Sequence, residues 1–293
     1  MRRPETTFGA MSTATATRII DLDRWEAELP RITAGYREAK PFPYTSLENF
    51  LDADAANEAE KAFPKVQDQG WIHYVHVNEK KHGLNKMDRL PPYLRAVIEE
   101  LNSDRFVRWL EKLTGIEGLK ADDMLEGGGL HQSQRGGFLN IHADFTVHPH
   151  KRNWKRRVNV LVYLNKDWQE SWGGELELWA RDMSKCEARI LPMYNRCVIF
   201  NTDEDSYHGL PDPIRCPEDQ TRKSIALYYF TEEKNAPRLR TTNYRARPTD
   251  GLKSMAIWLD KQAIAGYTRI KRAFGLNDDF VSNILNRFGG KRR

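Results

Sequence analysis

Six short strand-like segments follow one another between Leu125 and Thr231, and this run constrains the fold more than any other feature of the sequence. Turn residues separate the segments, and each is too short for an ordinary helix. Many short strands within about 100 residues indicate an all-β barrel or sandwich instead of a parallel α/β sheet. The predicted strands are Gly137 to His142, Arg157 to Leu164, Glu175 to Trp179, Glu187 to Leu191, Arg196 to Asn201 and Arg222 to Phe230.

Helical patterns precede this β-rich region. From Ile19 to about Leu119, apolar residues recur mostly at three- and four-residue spacing, which is typical of amphipathic helices. Asn102 or Ser103 can cap one such helix, and Gly115 can end it. Alternating residues predict one short strand, at Gly70 to Val77. We therefore expect a mainly helical region on the N-terminal side of the strands.

The C-terminal part of the chain is basic and amphipathic. A polar connector follows the last predicted strand, and two helical stretches then follow, Leu252 to Phe274 and Asp278 to Phe288. Docking onto the core or onto a second copy, as a homodimer, is the simpler interpretation, and a membrane surface is the alternative. We predict four segments: a flexible leader (1–18), a helical support region (19–124), a β core (125–235) and a helical extension (236–293).

The composition favours a cytoplasmic protein with a real core. Hydrophobic residues make up 40% of the 293 residues, and no apolar run approaches the roughly 18 to 20 residues that cross a bilayer. The N-terminus has no apolar secretory segment, and either Met1 or Met11 can be the native start. Three cysteines without CxxC spacing indicate free thiols. A net charge of +5 and no recognisable binding module give no reason to expect nucleic acid.

His142 and Asp144 form an HxD triplet. On an extended chain, side chains two residues apart share a face, so this imidazole and carboxylate can bind one ion. His208 follows the predicted strand Arg196 to Asn201, which can bring a second imidazole to the same place. Two histidines and one carboxylate are the ligands of non-haem Fe(II) oxygenases. Zinc accepts the same set, so the ligands predict a metal site without deciding the metal.

Arg222 begins the last predicted strand, and Ser224 shares its face. An arginine buried opposite an iron site needs an anionic partner, and its bidentate fork fits the distal carboxylate of 2-oxoglutarate. The 2-oxo acid end of that cosubstrate can chelate iron. A surface salt bridge is the alternative role for Arg222, but the histidine spacing favours the cosubstrate.

Four ordered motifs resemble the prolyl 4-hydroxylase-like 2-oxoglutarate/Fe(II) dioxygenases: GGGLHQSQRGGFLNIHADF, RRVNVLVYLNKDWQESWGGELELW, YNRCVIFNTDEDSYHGLP and TRKSIALYYF. The resemblance covers about Leu125 to Thr231. It implies a mainly β core with flanking helices, in which N-terminal helices pack on a double-stranded β-helix (a cupin-like jelly roll). It also implies Fe(II), 2-oxoglutarate and O2, with ascorbate as a candidate reductant.

The resemblance assigns roles to individual residues. It makes His142, Asp144 and His208 the metal ligands and Arg222 the anchor of the 2-oxoglutarate carboxylate. Tyr163 occupies the position of a family tyrosine whose hydroxyl binds the same cosubstrate. Weaker candidates are Asn159 and Ser224 as polar contacts and Leu161 and Leu176 as an apolar wall, which core packing explains equally well. No catalytic residue is expected beyond the metal centre.

One strand departs from the family pattern. Before the HxD triplet, where relatives often place a tyrosine near the cosubstrate, the chain has His131, Gln132, Ser133 and Gln134. His131 or Gln132 can take that role or contact the substrate, and a structural histidine is an equally good interpretation. We expect His148 and His150 to be ordinary loop residues.

The resemblance also implies a reaction: hydroxylation of an unactivated C–H, with decarboxylation of 2-oxoglutarate to succinate and CO2. Asp144 favours hydroxylation, because related halogenases lack this carboxylate. The substrate stays open between a small molecule and a peptidyl proline in a protein, and the basic stretch Lys151 to Arg157 can attract an acidic or phosphorylated one. A cupin-like isomerase that does not use 2-oxoglutarate and a non-catalytic binding module are the alternatives.

Overall fold

The computed structural model describes residues 18–235, 237–259 and 262, in which antiparallel strands dominate. The helices are α1 (Leu22–Glu38), α2 (Ala53–Lys61), α3 (Pro92–Leu101) and α4 (Asp104–Thr114), with short 3-10 turns at Met87–Arg89 and Glu170–Trp172. The strands are β1 (Tyr44–Leu47), β2 (Ile72–His76), β3 (Glu79–Leu84), β4 (Leu119–Ala121), β5 (Gly129–Ser133), β6 (Phe138–Ala143), β7 (Trp154–Tyr163), β8 (Leu176–Trp179), β9 (Cys186–Ile190), β10 (Arg196–Asn201), β11 (His208–Leu210), β12 (Arg222–Glu232) and β13 (Asn243–Tyr244).

The strands form a nearly closed, jelly-roll-like barrel. Their order is β1-β10-β7-β12-β5-β3-β6-β11-β8-β9, while β2, β4 and β13 pair with β3, β12 and β6. Strand β3 joins the two halves of this order, because it pairs with β5 through 82–84 and with β6 through 79–80. The predicted β core with flanking helices is confirmed.

The helices pack on one face of the central strands, and the barrel interior lies on the other. Along β7, Val158, Val160 and Val162 are fully buried in the same core as the apolar residues of α1 to α4. The alternate residues face the interior, where Asn159 and Leu161 line a cavity. Burying each valine stabilises this packing by about 1.5–3 kcal/mol. The period-two pattern therefore aims the polar residues of β7 at the cavity.

Helix α4 has the ends that the sequence predicts. The Ser103 hydroxyl accepts a hydrogen bond from the Phe106 N–H at 3.2 Å, so Ser103 is the cap and Asn102 is not. Gly115 ends the helix with a φ of +71°, a conformation that glycine adopts without strain. Between them, Phe106, Trp109, Leu110 and Leu113 are fully buried.

The support region contains more strand than its helical pattern predicts, since β1, β2 and β3 all lie within it. The sequence of β3, EKKHGL, has no regular apolar alternation. Its strand structure comes from pairing with β5 and β6, which are distant in sequence. Tertiary pairing overrides local preference here.

The predicted polar connector after β12 is also partly ordered, because β13 pairs with β6 opposite His142 and Ala143. A helical segment occupies 253–259. Most of the predicted helix Leu252 to Phe274, all of Asp278 to Phe288 and nearly all of the leader lie outside the described residues. Within the described residues, no helix is long and apolar enough to cross a membrane. All three cysteines are free, as predicted.

Candidate metal centre and cosubstrate pocket

Two neighbouring strands bring His142, Asp144 and His208 together. His142 lies near the end of β6, Asp144 follows directly after it, and β11 places His208 opposite His142 in an antiparallel pair. One potential ligand atom from each residue lies within 4.8 Å of the others. His208 is therefore delivered by its own short strand, β11, and not by the end of β10 as its position in the sequence suggested.

Both histidines present the same ring nitrogen to the centre. Nδ1 of His142 lies 2.9 Å from the carbonyl oxygen of Asn140, and Nδ1 of His208 lies 2.9 Å from that of Ser206. A carbonyl only accepts, so each Nδ1 carries the proton and each Nε2 keeps its lone pair. These Nε2 atoms lie 3.6 Å and 3.4 Å from the Asp144 oxygens. Such fixed tautomers are typical of metal-binding histidines.

Asp144 is held as an anion with one oxygen left for an ion. Its Oδ2 accepts hydrogen bonds from Nδ2 of Asn159 and from Nη2 of Arg156, both at 2.9 Å. Burial alone would raise the pKa of Asp144, but the charge of Arg156 and the interactions with His208 and His142 together outweigh it and hold this pKa well below its ordinary value. Burial also lowers the pKa of His208 to about 4, which favours the neutral imidazole that a metal requires.

Arg156 is a site residue that the sequence pattern did not single out. It is 2% exposed, and its guanidinium carbon lies 3.4 Å from the ring centre of Tyr228 and 4.7 Å from that of Phe145. In the basic stretch Lys151 to Arg157 it looks like one surface charge among several. A bulge breaks the register of β7 against β12 between Arg156 and Val158, and this irregularity turns Arg156 inward.

The cluster opens into a cavity of about 250 Å³, here called the inner cavity. Its walls contain the three clustered residues together with Asn159, Leu161, Leu176, Arg222 and Ser224. Leu161 and Leu176 thus line the cavity as well as packing in the core. Asn159 contacts Asp144 through its amide nitrogen, so a cosubstrate contact for Asn159 stays a prediction, as it does for Ser224.

Arg222 lies buried in the wall of the inner cavity, 6% exposed. Its Nε donates to the Gly174 carbonyl at 2.8 Å, and its Nη2 donates to the Tyr163 hydroxyl at 3.2 Å. A Cβ on Gly174, whose φ is +80°, would lie 3.2 Å from Cδ of Arg222, so glycine suits this close approach. Within the described part of the chain, no carboxylate forms an ion pair with Arg222. A buried guanidinium of this kind can bind a ligand carboxylate.

Tyr163 supports this anion site from beside Arg222. Its ring centre lies 4.8 Å from the guanidinium carbon, and the residue is fully buried. Burial raises the pKa of the Tyr163 hydroxyl despite the opposing charge of Arg222, so the hydroxyl stays protonated at neutral pH. Its oxygen accepts from Arg222, which leaves its proton to donate to a carboxylate.

Comparisons with known proteins agree with this geometry. Residues 128–230 match the model of a family described as the 2OG-Fe(II) oxygenase superfamily. This match covers 103 of the 293 residues and takes in nearly all of the β core. The description of the matched family names Fe(II) and 2-oxoglutarate, and the His142–Asp144–His208 cluster lies within the matched residues. No curated protein sequence matches the chain.

Solved structures with the same fold as the β core include two prolyl hydroxylases. The Pseudomonas putida prolyl-4-hydroxylase is 15% identical, with a TM-score of 0.50 over 70% of this chain and 100% of that one. The Trichoplax adhaerens prolyl hydroxylase, in complex with a hypoxia inducible factor peptide fragment, is 20% identical, with a TM-score of 0.50 over 71% and 91%. At these identities the likeness concerns the fold alone.

Of the residues that depart from the family pattern before the HxD triplet, His131 lies in the wall of the inner cavity. His131 and Ser133 line the inner cavity, whereas the Gln132 amide donates to the Thr221 hydroxyl at 2.8 Å. Burial lowers the pKa of His131 to about 3, so this imidazole is neutral. Of the two residues that the sequence left open for a pocket role, only His131 faces the cavity.

His148 and His150, which were predicted to be loop residues, lie on the loop 145–153 that follows Asp144, here called the HxD loop. One of them, His148, holds this loop in place. His148 is fully buried: its Nε2 lies 3.2 Å from Asp122, and its Nδ1 accepts the backbone N–H groups of His150 and Lys151. His150 is exposed and pairs with Glu126 at 3.0 Å. His148 therefore fixes the path of the loop that follows Asp144.

Residues from outside the predicted core complete the wall of the inner cavity. Tyr244 of β13 lies with its ring 5.5 Å from that of His142, and Thr242 also lines the inner cavity. The β2–β3 hairpin adds Tyr74 and the ion pair of Glu79 with Lys81, 3.0 Å apart. No local pattern marks these residues, because only the long-range pairings of β3 and β13 bring them to the metal centre.

Proposed function

We propose that this protein hydroxylates an unactivated C–H bond of its substrate, using Fe(II), 2-oxoglutarate and O2. In the overall reaction, R–H, O2 and 2-oxoglutarate give R–OH, succinate and CO2. One observation supports it most: the His142–Asp144–His208 cluster shares a single cavity with Arg222, a buried cation that lacks a carboxylate partner among the described residues.

In this proposal His142 and His208 hold Fe(II) through their Nε2 atoms, and Asp144 holds it through Oδ1, since its Oδ2 is occupied. Bound iron supplies O2 activation coupled to the decarboxylation of 2-oxoglutarate. The chain orients the reactants and excludes water. Neutral imidazoles and an ionised carboxylate at neutral pH suit this ligand role.

Arg222 and Tyr163 bind the distal carboxylate of 2-oxoglutarate. Arg222 is held in place by Gly174, and the Tyr163 proton supplies a second donor. Leu161 and Leu176 lie along the cosubstrate chain, while Asn159 and Ser224 offer polar contacts. An isomerase of the cupin type has no need for such a carboxylate anchor, so the dependence on 2-oxoglutarate separates the two activities.

Anaerobic titration of the metal-free protein with Fe(II) and then 2-oxoglutarate tests the proposal. We expect a weak visible charge-transfer band when both are bound. Arg222→Ala should weaken 2-oxoglutarate binding at least about tenfold, because charge-assisted hydrogen bonds contribute about 1.5–3 kcal/mol each. Fe(II) binding should change little, whereas His208→Ala should weaken it strongly.

Arg152→Ala is the matched control, because Arg152 is an exposed arginine in the basic stretch. It should leave both affinities unchanged. The absence of a band, or O2 exposure with candidate substrates that yields no succinate, would refute the oxygenase assignment. Metal binding without any effect of 2-oxoglutarate would favour the cupin-like isomerase.

A further inference from the structure

A second cavity meets the metal centre from the other side of Asp144. This outer cavity has a volume of about 380 Å³. Asp144, Phe145 and Arg156 line both cavities, so a molecule in the outer cavity lies beside a proposed metal ligand. With the cosubstrate anchored at Arg222 in the inner cavity, the outer cavity offers space for part of the substrate.

The acidic residues of the outer cavity already have cationic partners. Arg181 pairs with Asp205 and lies 3.6 Å from Asp203. Arg240 pairs with Glu204 at 2.5 Å. Together with the pair of Arg156 and Asp144, these contacts set three cations against four carboxylates, because Arg181 serves both Asp203 and Asp205.

Two cations in the same cavity have no such partner. Lys155 and Arg238 both line it, and neither forms an ion pair with any acidic residue in the described ranges. Their charges therefore remain available to an anion from solution. Counting Lys155 and Arg238, five cations stand against four carboxylates at this cavity, which leaves a net charge of +1.

The backbone holds both cations in place. Lys155 lies on β7, paired with Thr231 of β12 and bridged to Val147 of the HxD loop. Thr146 accepts the N–H of Arg240 at 3.0 Å and donates its hydroxyl to the Arg238 carbonyl at 3.0 Å. The segment that carries Arg238 is thus tied to the residue two positions beyond Asp144.

Thr202 adds a polar contact within the same cavity. Thr202 is 4% exposed, and its hydroxyl oxygen has no hydrogen-bond partner among the described residues. An unpaired buried hydroxyl costs free energy unless a ligand satisfies it. A substrate oxygen in this cavity would do so.

We propose that the substrate is acidic: Lys155 and Arg238 bind its anionic group, a carboxylate or a phosphate, and Thr202 binds a neighbouring polar atom. This inference rests on the proposed hydroxylase function, whose site it completes. It also refines the expected role of the basic stretch. Lys151 pairs with Asp123 and Arg156 with Asp144, so Lys155 is the member of that stretch that can bind substrate in the cavity.

Calorimetric titration with simple anions tests the site without knowledge of the substrate. The protein is loaded with Fe(II) and 2-oxoglutarate without O2, then titrated with sodium sulfate or sodium acetate at constant ionic strength. Wild type should bind at least one of these anions, and K155M/R238M should bind it at least about tenfold more weakly. Tighter sulfate binding indicates a phosphate group, and tighter acetate binding indicates a carboxylate.

The control R108M/R152M removes the same net charge from two exposed arginines outside the cavity and should change the affinity less than twofold. The conservative variant K155R/R238K should retain binding, which separates lost charge from lost structure. If wild type binds neither anion, or if K155M/R238M binds as well as the control, the anion site is refuted.

A second measurement separates this inference from the hydroxylase assignment. Succinate release is compared between the two members of matched pairs of candidate substrates. One member of each pair is an anion, a carboxylate or a phosphate ester, and the other is its neutral counterpart, the amide or the parent alcohol. The anionic member should be the better substrate, with a KM at least tenfold higher in K155M/R238M and little change in kcat. Turnover of neutral members alone would refute the anion site, whereas anion binding with no succinate from any compound would refute the hydroxylase.

Discussion

Replacing Arg156 with methionine should destabilise the protein far more than its position in a basic stretch suggests. The substitution removes the guanidinium that bonds Asp144 at 2.9 Å but keeps a side chain of similar length between Tyr228 and Phe145. Asp144 then stays buried with only the Asn159 amide as a partner. Breaking a buried ion pair by removing one member typically costs about 3–5 kcal/mol, because it leaves an uncompensated charge.

Arg157→Met is the matched control. Arg157 is the next residue on β7, and its only ion pair in the described part of the chain is with the half-exposed Glu233 at 3.9 Å. Such exposed pairs contribute about 0–1 kcal/mol. The two variants remove the same charge from adjacent positions, so the difference between them isolates the burial of Arg156.

Thermal unfolding of the metal-free protein measures the effect. For a chain of this size, about 3–5 kcal/mol corresponds to a Tm lower by about 6–15 °C in R156M, against about 2 °C or less in R157M. A bound divalent ion neutralises Asp144 in place of Arg156, so added metal should raise the Tm of R156M more than that of wild type. Equal Tm values for the two variants, or equal metal-induced increases for R156M and wild type, would contradict the role of Arg156.

Two further predictions concern the cosubstrate anchor and the HxD loop. Tyr163→Phe removes one donor to the distal carboxylate and should weaken 2-oxoglutarate binding by about tenfold or less, with unchanged Fe(II) binding, in the same anaerobic titration. Burial alone would raise the pKa of Asp122, but hydrogen bonds from His148 and from two backbone N–H groups lower this pKa below 3.8. Its stabilisation is therefore present above about pH 4 and lost as the pH falls below that value. Asp122→Asn should lower Tm at pH 7, and its difference from wild type should shrink toward pH 3; a constant difference would contradict this assignment.

The sequence was most informative where chemistry depends on local spacing. Strand periodicity alone places His142 and Asp144 on one side, and it places Arg222 and Ser224 on the same cavity wall. The cap of α4 at Ser103 follows from residue type and position in the same way. These inferences use contacts between residues close in the chain, which a pattern can represent.

The sequence was least informative where long-range pairing decides the structure. Strand β3 is polar and lacks alternation, so its place between β5 and β6 leaves no local signal. The bulge that turns Arg156 inward depends on the register of β7 against β12, a property of two strands and not of either sequence. For the same reason, Arg156 could not be distinguished from its exposed neighbours in the basic stretch.

The arrangement of β3 and β13 explains why the β core does not form the whole inner cavity. Both strands pair with β6, the strand that carries His142, and they come from segments before and after the core. Strand β3 brings Glu79 and Lys81 to the inner cavity, β13 brings Tyr244 over the His142 ring, and the segment before β13 brings Arg238 to the outer cavity. The core thus holds the proposed ligands, the proposed cosubstrate anchor and two of the proposed substrate contacts, Lys155 and Thr202, whereas Arg238 and part of the inner cavity wall come from the added segments. Substitutions in these two segments are therefore expected to alter the cavity walls and to leave the His142–Asp144–His208 cluster in place.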